Sequence, residues 1–171
     1  MIDIQGYLEE KKIVCFTDGS CLKNPGKGGY GILLLYKSDG EIYKKELSKG
    51  FRLTTNNRME LLAVIEAIKA LKKPSPMIIF SDSKYVVDAV NKGWARSWQK
   101  KGWRKSDKSK ALNSDLWQDL LELLSEEIQL FWVKAHNGQK ENERVDFLAK
   151  EAAGFKILEI DAEYEKLQNK L

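Results

Sequence analysis

Short apolar runs separated by turn residues fill the first third of the chain. Such runs are typical of strands when they are rich in β-branched and aromatic residues and bounded by Gly, Asn or Asp. Ser38-Asp39-Gly40 is a hairpin signal, and a loop rich in Gly, Asn and Pro runs from Cys21 to Gly29. The sequence therefore predicts three consecutive strands, at Ile13 to Thr17, Tyr30 to Tyr36 and Glu41 to Phe51.

The rest of the chain alternates between helical periodicity and short apolar runs. A helix is predicted from Asn57, which stands at capping-box spacing from Glu60, to the stop at Lys72-Lys73-Pro74. A hairpin followed by alternating strands and helices favours an α/β fold, in which helices pack on a mixed sheet. The further predicted elements are helices at Ser83 to Lys92, Asn113 to Glu126 and Asn142 to Ala153, and strands at Met77 to Phe80 and Ile128 to Val133.

Length and composition indicate one folded domain. The chain has 171 residues, of which 43% are hydrophobic, and this excludes a disordered protein. Residues 1–154 are predicted to form a single domain and residues 155–171 a C-terminal tail of unassigned role. The tail is expected to be helical, because its apolar residues recur at helical spacing. These residues are Ile160, Tyr164, Leu167 and Leu171.

Neither a membrane nor an oxidising compartment is indicated. No apolar run approaches the length of a membrane span, and the polar segment Met1 to Lys12 does not fit a secretory signal. Cys15 and Cys21 are too few for a disulfide scaffold and do not form a CxxC zinc pair. We therefore expect a monomer in the cytoplasm.

Four acidic residues stand near the ends of predicted elements. Asp18 and Asp82 each follow an apolar strand, while Glu60 and Asp146 fall in the first turns of predicted helices. Each has an ordinary local explanation: an Asp-Gly turn, a capping glutamate, a helix cap and a solvated acid. If the two strands are parallel neighbours, however, Asp18 and Asp82 lie side by side at the edge where α/β sheets bind ligands.

Four carboxylates at one sheet edge repel each other unless cations lie between them. Oxygen ligands of this kind suit Mg²⁺ or Mn²⁺ better than zinc. Two such ions about 4 Å apart stabilise both the attacking and the leaving oxygens of a phosphodiester. A loop histidine, His136, follows the last predicted strand and is the only histidine of the chain. It is either structural or a proton shuttle beside the carboxylates.

The positive charge is concentrated in one segment. The whole chain has a net charge of +4, yet residues 91–110 alone contain eight basic residues against Asp107. Trp94, Trp98 and Trp103 interleave with these charges. Alternating aromatic and basic residues fit sequence-independent binding of a nucleic-acid backbone, although a solvated helix face with a few packing aromatics has the same pattern.

A glycine-rich motif resembles a dinucleotide-binding loop only superficially. Gly26-Lys27-Gly28-Gly29-Tyr30-Gly31 satisfies GxGxxG. It precedes a strand, whereas a dinucleotide loop connects a strand to a helix, and it lacks the Gly-Lys-Ser/Thr ending of a P-loop. We therefore predict no nucleotide site there.

Taken together, four segments closely resemble ribonuclease H of type 1. They match in order and spacing from about Ile13 to Ala153, and the basic segment resembles the protrusion of the bacterial enzymes. The segments are Thr17-Asp18-Gly19-Ser20, Asn56-Asn57-Arg58-Met59-Glu60-Leu61, Ser81-Asp82-Ser83 and Asn142-Glu143-Arg144-Val145-Asp146.

The resemblance implies a ribonuclease H-like fold, with a five-stranded mixed sheet whose first three strands are antiparallel and helices on both faces. It implies an endonuclease that hydrolyses the RNA strand of RNA–DNA hybrids, its partner, with two Mg²⁺ ions (Mn²⁺ as a substitute), giving 3′-hydroxyl and 5′-phosphate ends. Asp18, Glu60, Asp82 and Asp146 match the metal-binding carboxylates, and His136 matches a catalytic loop histidine.

The resemblance also implies contacts with the substrate. The positions that match the RNA-strand side are Gly19, Cys21, Asn24 and Asn56. Thr55 and the basic segment match the DNA-strand side, with the candidate contacts Trp94, Trp98, Lys100, Lys101, Trp103 and Lys105. Lys84 departs from the pattern, since glutamine is expected there, so one RNA-strand contact is in doubt.

Two rival functions remain open from sequence alone. A non-catalytic hybrid-binding protein would explain the basic segment but not the four acids. A DNA nuclease of the integrase kind would explain the acids but would act on all-DNA duplexes.

Overall fold

A computed structural model describes residues 1–170 and shows a five-stranded sheet in the order β3-β2-β1-β4-β5. β1 pairs antiparallel with β2, and β2 antiparallel with β3, whereas β4 pairs parallel with both β1 and β5. The predicted mixed sheet is thus confirmed. The strands are β1 (Ile13–Cys21), β2 (Gly26–Ser38), β3 (Glu41–Thr54), β4 (Met77–Ser81) and β5 (Ile128–Trp132).

Helices cover both faces of the sheet. Successive side chains of β1 point to opposite faces, so Cys15 belongs to one core and Val14 and Phe16 to the other. α2, α3 and α5 complete the first core, and α1 and α6 cover the second. The helices are α1 (Ile4–Glu9), α2 (Asn56–Lys69), α3 (Lys84–Asn91), α4 (Trp94–Lys100), α5 (Ser114–Leu123), α6 (Lys140–Ala153) and α7 (Ala162–Gln168).

The first two strands are longer than predicted. Antiparallel pairing continues to Cys21 opposite Gly28, so the predicted loop from Cys21 to Gly29 shrinks to residues 22–25. The parallel pairing of β1 with β4 ends earlier, at Thr17 opposite Ser81. Asp18 is therefore still inside the sheet on its β2 side but is the first residue beyond it on its β4 side.

Two predicted helix starts were wrong. The cap of α2 is Thr55, which has an extended backbone and accepts a hydrogen bond from the Arg58 amide at 3.2 Å, so Asn57 lies inside the helix. α6 begins at Lys140, two residues before the predicted start. Both starts lie earlier in the chain, so Glu60 and Asp146 fall in second turns and not in first turns.

The N-terminal helix α1 was not predicted. Six residues are too few for a clear periodic signal. Asp3 caps the helix by accepting from the Gly6 amide at 2.8 Å, and Leu8 is buried in the second core. Tyr7 packs on Phe80 of β4, with ring centroids 6.1 Å apart.

The C-terminal tail is helical over α7, while Leu171 of the predicted helical spacing lies outside the described residues. Before α7, Glu159 bridges to Phe51 of β3. The domain boundary at residue 154 stays a prediction. In residues 1–170, every helix is too short or too polar to cross a membrane.

Candidate active site

Three of the four predicted carboxylates meet at the edge of the sheet. Asp18 and Asp82 follow the last parallel pair of β1 and β4, as the strand pattern predicted. Glu60 reaches the same point from α2, and each residue offers an oxygen within 4.8 Å of the others. Neighbouring parallel strands thus bring together residues that lie 64 positions apart in the sequence.

Close contact between α2 and β1 allows Glu60 to reach the cluster. A Cβ added at Gly19 would lie 2.3 Å from the Glu60 amide nitrogen and 2.4 Å from the Met59 carbonyl carbon. Real Cβ atoms do not approach backbone so closely, so position 19 admits only glycine without a shift of the helix. Gly19 therefore sets the distance between Asp18 and Glu60.

Gly19→Ala is expected to push α2 away from β1 and to destabilise the fold by about 2 kcal/mol, since overpacking against backbone cannot relax through a rotamer. The cleavage activity that the family resemblance implies should fall more than stability alone explains, because Glu60 leaves the cluster. Urea unfolding and steady-state kinetics measure the two effects. Gly154→Ala is the matched control, because its added Cβ would lie 3.4 Å from the Glu151 carbonyl oxygen. Equal behaviour of the two variants would contradict this packing account.

Burial and mutual repulsion dominate the electrostatics of the cluster. Asp18 is 6% exposed and Glu60 is 8% exposed. Burial raises the pKa of both carboxyl groups above their usual range, and the charge of Asp82 raises both pKa values further. Without a cation, the Asp18–Glu60 pair therefore retains a proton at pH values where ordinary carboxyl groups are ionised.

The donor set fits a hard divalent cation. The buried Glu60 Oε2 has no hydrogen-bond partner within residues 1–170, and such an orphaned oxygen is costly without a ligand. Three carboxylates supply oxygen ligands only, which is the donor type that hard divalent cations take. A cation placed between them would also relieve the repulsion.

Asp146 lies at the margin of this cluster. Its charge raises the pKa of Asp18, but its Oδ2 accepts a hydrogen bond from Lys150 Nζ at 2.7 Å, one helical turn away on α6. Asn142, also on α6, is buried and donates from Nδ2 to Asp82 Oδ2 at 3.2 Å. α6 thus presents one carboxylate and one amide to the cluster.

Comparisons with known proteins show the family of this chain. The RNase H family model matches residues 10–154. A ribonuclease H of Syntrophus aciditrophicus (strain SB) is 53% identical over 156 residues, covering 91% of this chain and 88% of the relative. A ribonuclease HI of Synechocystis sp. (strain ATCC 27184 / PCC 6803 / Kazusa) is 48% identical over 138 residues, covering 80% and 84%. The chain belongs to the RNase H family.

Solved structures of the RNase H family share the fold. The crystal structure of LC9-RNase H1, described as a type 1 RNase H with the type 2 active-site motif, superposes with a TM-score of 0.75 at 30% identity. The alignment covers 92% of this chain and 80% of that one. The five-stranded mixed sheet with its helices is thus an RNase H fold.

The glycine-rich motif has a packing role in this RNase H domain. A Cβ at Gly31 would lie 2.4 Å from the Val145 carbonyl oxygen, and one at Gly29 would lie 2.6 Å from that of Ala149. β2 and α6 therefore touch backbone to backbone, which fixes the helix that carries Asp146. The motif needs no nucleotide to explain it.

His136 lies in the exposed loop between β5 and α6, with a φ of 52°. Within residues 1–170, no hydrogen bond or ion pair joins its ring to the carboxylates. The loop leaves the sheet at the same edge, because β5 pairs with β4 through Trp132 opposite Ser81. A catalytic role for His136 stays a prediction.

The positions that match RNA-strand contacts are joined to one another. The Cys21 amide donates to Asn56 Oδ1 at 2.6 Å, and the Asn56 amide donates to Asn24 Oδ1 at 3.2 Å. The loop after β1 is thereby tied to the first turn of α2, whose cap is Thr55. Asn24 is exposed, whereas Cys21, Thr55 and Asn56 are partly buried.

The basic segment is only partly an exposed aromatic surface. Trp94 is 46% exposed and lies 4.9 Å from Lys92 Nζ, measured to the ring centroid. Trp98 and Trp103 pack partly against the first core, so the packing explanation holds for a share of their surface. Trp94, Trp98, Lys105 and Asn57 line a cavity of about 370 Å³, while Lys100 and Lys101 are exposed at the end of α4.

Sequence reasoning did not give Trp132 a role. Its indole N–H donates to the Asp82 carbonyl oxygen at 3.0 Å, and Lys84 Nζ lies 4.6 Å from its ring centroid. Lys84, the departure from the family pattern named above, thus lies over the ring that holds the backbone of Asp82. Nothing in the sequence indicated this contact, because a tryptophan at the end of an apolar run is also an ordinary strand residue.

Proposed function

We propose that this chain is an endonuclease that hydrolyses the RNA strand of RNA–DNA hybrids. The observation that carries the proposal is the buried carboxylate cluster of Asp18, Glu60 and Asp82, in a domain of the RNase H family. A surface rich in Trp and Lys lies in the same chain and suits a nucleic-acid backbone. The ribonuclease H name of its relatives gives the substrate class.

Asp18, Glu60, Asp82 and Asp146 would hold two divalent ions, with Mg²⁺ preferred and Mn²⁺ as a substitute. Such ions supply charge stabilisation of the attacking and leaving oxygens of a phosphodiester. When Asp146 binds a metal ion, its ion pair with Lys150 would break. This costs little, because an exposed ion pair contributes little to the stability of the fold.

The chain's own side chains would orient the reactants. Asn142 holds Asp82 in place through its amide, and the backbone of β1 holds Asp18. Water attacks the scissile phosphorus in line with the bond to the 3′ oxygen, which leaves as a hydroxyl, so the other product carries a 5′-phosphate. His136 would move a proton near the leaving group or aid release of the product.

Recognition of the hybrid would divide between two surfaces. Gly19, Cys21, Asn24 and Asn56 face the RNA strand, whose 2′-hydroxyls distinguish it from DNA. Thr55 and the basic segment hold the phosphates of the DNA strand, so binding is independent of base sequence. The basic-segment contacts are Trp94, Trp98, Lys100, Lys101, Trp103 and Lys105.

A substrate panel tests the proposal. Labelled RNA–DNA hybrid, RNA duplex and DNA duplex are each incubated with and without Mg²⁺, and the products are resolved by length and end group. Cleavage is expected only of the RNA strand in the hybrid, and only with Mg²⁺. Binding of the hybrid without cleavage would favour the non-catalytic rival, and cleavage of the DNA duplex would favour the DNA nuclease.

We further propose that the enzyme acts as a monomer in the cytoplasm. The three clustered carboxylates and the Trp cavity all come from one chain. Cys15 and Cys21 are both free thiols, which suits a reducing compartment.

A further inference from the structure

A buried arginine lies beneath the start of α2. Arg58 is 2% exposed, and its guanidinium donates to two carboxylates at once. Nε and Nη2 donate to Asp161 at 2.7 and 2.8 Å, while Nη1 and Nη2 donate to Asp115 at 2.9 and 2.7 Å. Two paired forks of this kind fix the orientation of both partners.

One of the two partners belongs to the C-terminal segment, residues 155–170, which lies beyond the family match. Asp161 also accepts a hydrogen bond from Thr54 Oγ1 at 2.7 Å. Two residues earlier, the Glu159 amide donates to the Gly50 carbonyl oxygen at 2.8 Å. The segment therefore follows β3 to its last residue, Thr54, which immediately precedes the cap of α2.

The same guanidinium also reaches the tryptophan cavity. Arg58 Nη1 lies 3.4 Å from Asn113 Oδ1, and Asn113 Nδ2 donates to the Tyr85 hydroxyl at 3.1 Å. Asn113 and Tyr85 line the cavity together with Trp94 and Trp98. The Arg58 side chain thus links the turn from β3 into α2, at residues 54–56, to the cavity: it contacts Asp161 on one side and Asn113 on the other.

We propose that Asp161 is a positioning residue for substrate binding. By holding Arg58 and Thr54, it fixes the turn at residues 54–56 relative to the tryptophan cavity. The groups that contact the RNA strand and those that contact the DNA strand then keep a fixed distance from each other. Asp161 is thus the residue of the C-terminal segment that we assign to this role. This inference rests on the proposed function, because it concerns the binding of the hybrid.

Asp161→Asn tests the proposal, since it keeps the size of the side chain and removes its charge. KM for the hybrid is expected to rise about fivefold, while kcat should change by less than about twofold. The reason is that the network positions groups that bind the substrate and not groups that react. The Kd for the hybrid, measured by fluorescence anisotropy without divalent metal, should rise by a similar factor. All assays are run well below the unfolding temperature, with the folded fraction measured by circular dichroism.

Glu165→Gln is the matched control. It removes the ion pair of Glu165 with Arg52 on the same C-terminal segment, with Nη2 and Oε2 2.7 Å apart, but leaves the Arg58 network intact. Its KM and Kd should equal those of the wild type. If Asp161→Asn does not fold, Thr54→Val serves instead, because it removes only the hydroxyl that Asp161 accepts from, and its KM should rise about twofold.

Two results would overturn the proposal, and they are distinguishable. If the wild type cuts the hybrid and the folded Asp161→Asn variant has wild-type KM and Kd, Asp161 only stabilises the fold. With Thr54→Val as the replacement, wild-type values lead to the same conclusion. If the wild type neither binds nor cuts the hybrid, the proposed function fails and this inference fails with it.

Discussion

Asp18→Asn is expected to abolish cleavage of the hybrid and, at the same time, to stabilise the metal-free protein. The carboxyl group of Asp18 interacts with those of Glu60, Asp82 and Asp146, so we expect it to be the most essential metal ligand. Replacing it by an amide removes an anionic ligand where the charge of the transition state must be neutralised. The expected loss in kcat is about a thousandfold or more.

The gain in stability follows from the pKa of Asp18, which burial and neighbouring carboxylates raise in the folded state. The unfolded chain ionises this group near its ordinary pKa, so folding becomes less favourable as the pH rises toward the folded pKa. Asparagine does not ionise, and the free energy of unfolding should increase on the order of 2 kcal/mol at pH 8. The gain should shrink toward pH 5, where wild-type Asp18 is protonated.

Kinetics on labelled hybrid and urea unfolding in EDTA measure the two effects. Asp39→Asn is the matched control, because Asp39 lies in an exposed hairpin turn where either residue tolerates the positive φ of 51°. It should change neither quantity. Wild-type cleavage by Asp18→Asn would refute the assignment of the cluster.

The affinity for Mg²⁺ is expected to increase with pH. The pKa values of Asp18 and Glu60 are both raised in the folded state, so the pair holds a proton that a cation must displace. Below the folded pKa, each pH unit should strengthen binding about tenfold for each proton released. In the metal-free protein, the contribution of these two groups to stability is fully present below their unfolded pKa values and is lost as the pH rises through the folded ones.

Thermal unfolding with and without Mg²⁺, at pH 5.5 and pH 8.5, measures this linkage. Mg²⁺ at ten times its Kd stabilises the fold by about 1.4 kcal/mol, so a fixed concentration should raise Tm much more at the higher pH. The double variant Asp18→Asn, Glu60→Gln is the control, and its Tm should respond little to Mg²⁺ at either pH. If Mg²⁺ shifted the Tm of the wild type equally at both pH values, this would contradict the inference that Asp18 and Glu60 hold a proton that the cation displaces.

Part of the active site could be predicted from sequence because it depends on strand ends. Asp18 and Asp82 each follow a short apolar run, and the ends of parallel strands share an edge. From the sequence, the parallel pairing of these two strands was an assumption, and the structure confirmed it. The pairing of Asp146 with Lys150 was also visible in principle, as oppositely charged residues four positions apart on a helix.

Other parts depend on contacts between residues distant in sequence, which no local pattern reports. Arg58 reads as a charged residue of a helix start, yet it is buried against Asp161, 103 positions later. The tryptophans of the basic segment show the same limitation. Spacing alone does not tell which of their faces pack on the core and which remain free.

The sequence by itself determined the order of the five strands and of the helices α2, α3, α5 and α6, because these depend on periodicity and turn chemistry. It also determined the residue types of the carboxylate cluster and the basic aromatic segment. The tertiary structure decided which acids meet. Gly19 lets α2 approach β1 closely enough for Glu60 to join Asp18 and Asp82, while Asp146 stays paired with Lys150. The physical reason is that the distances between buried carboxylates depend on how closely distant segments of backbone pack, which no local pattern in the sequence specifies.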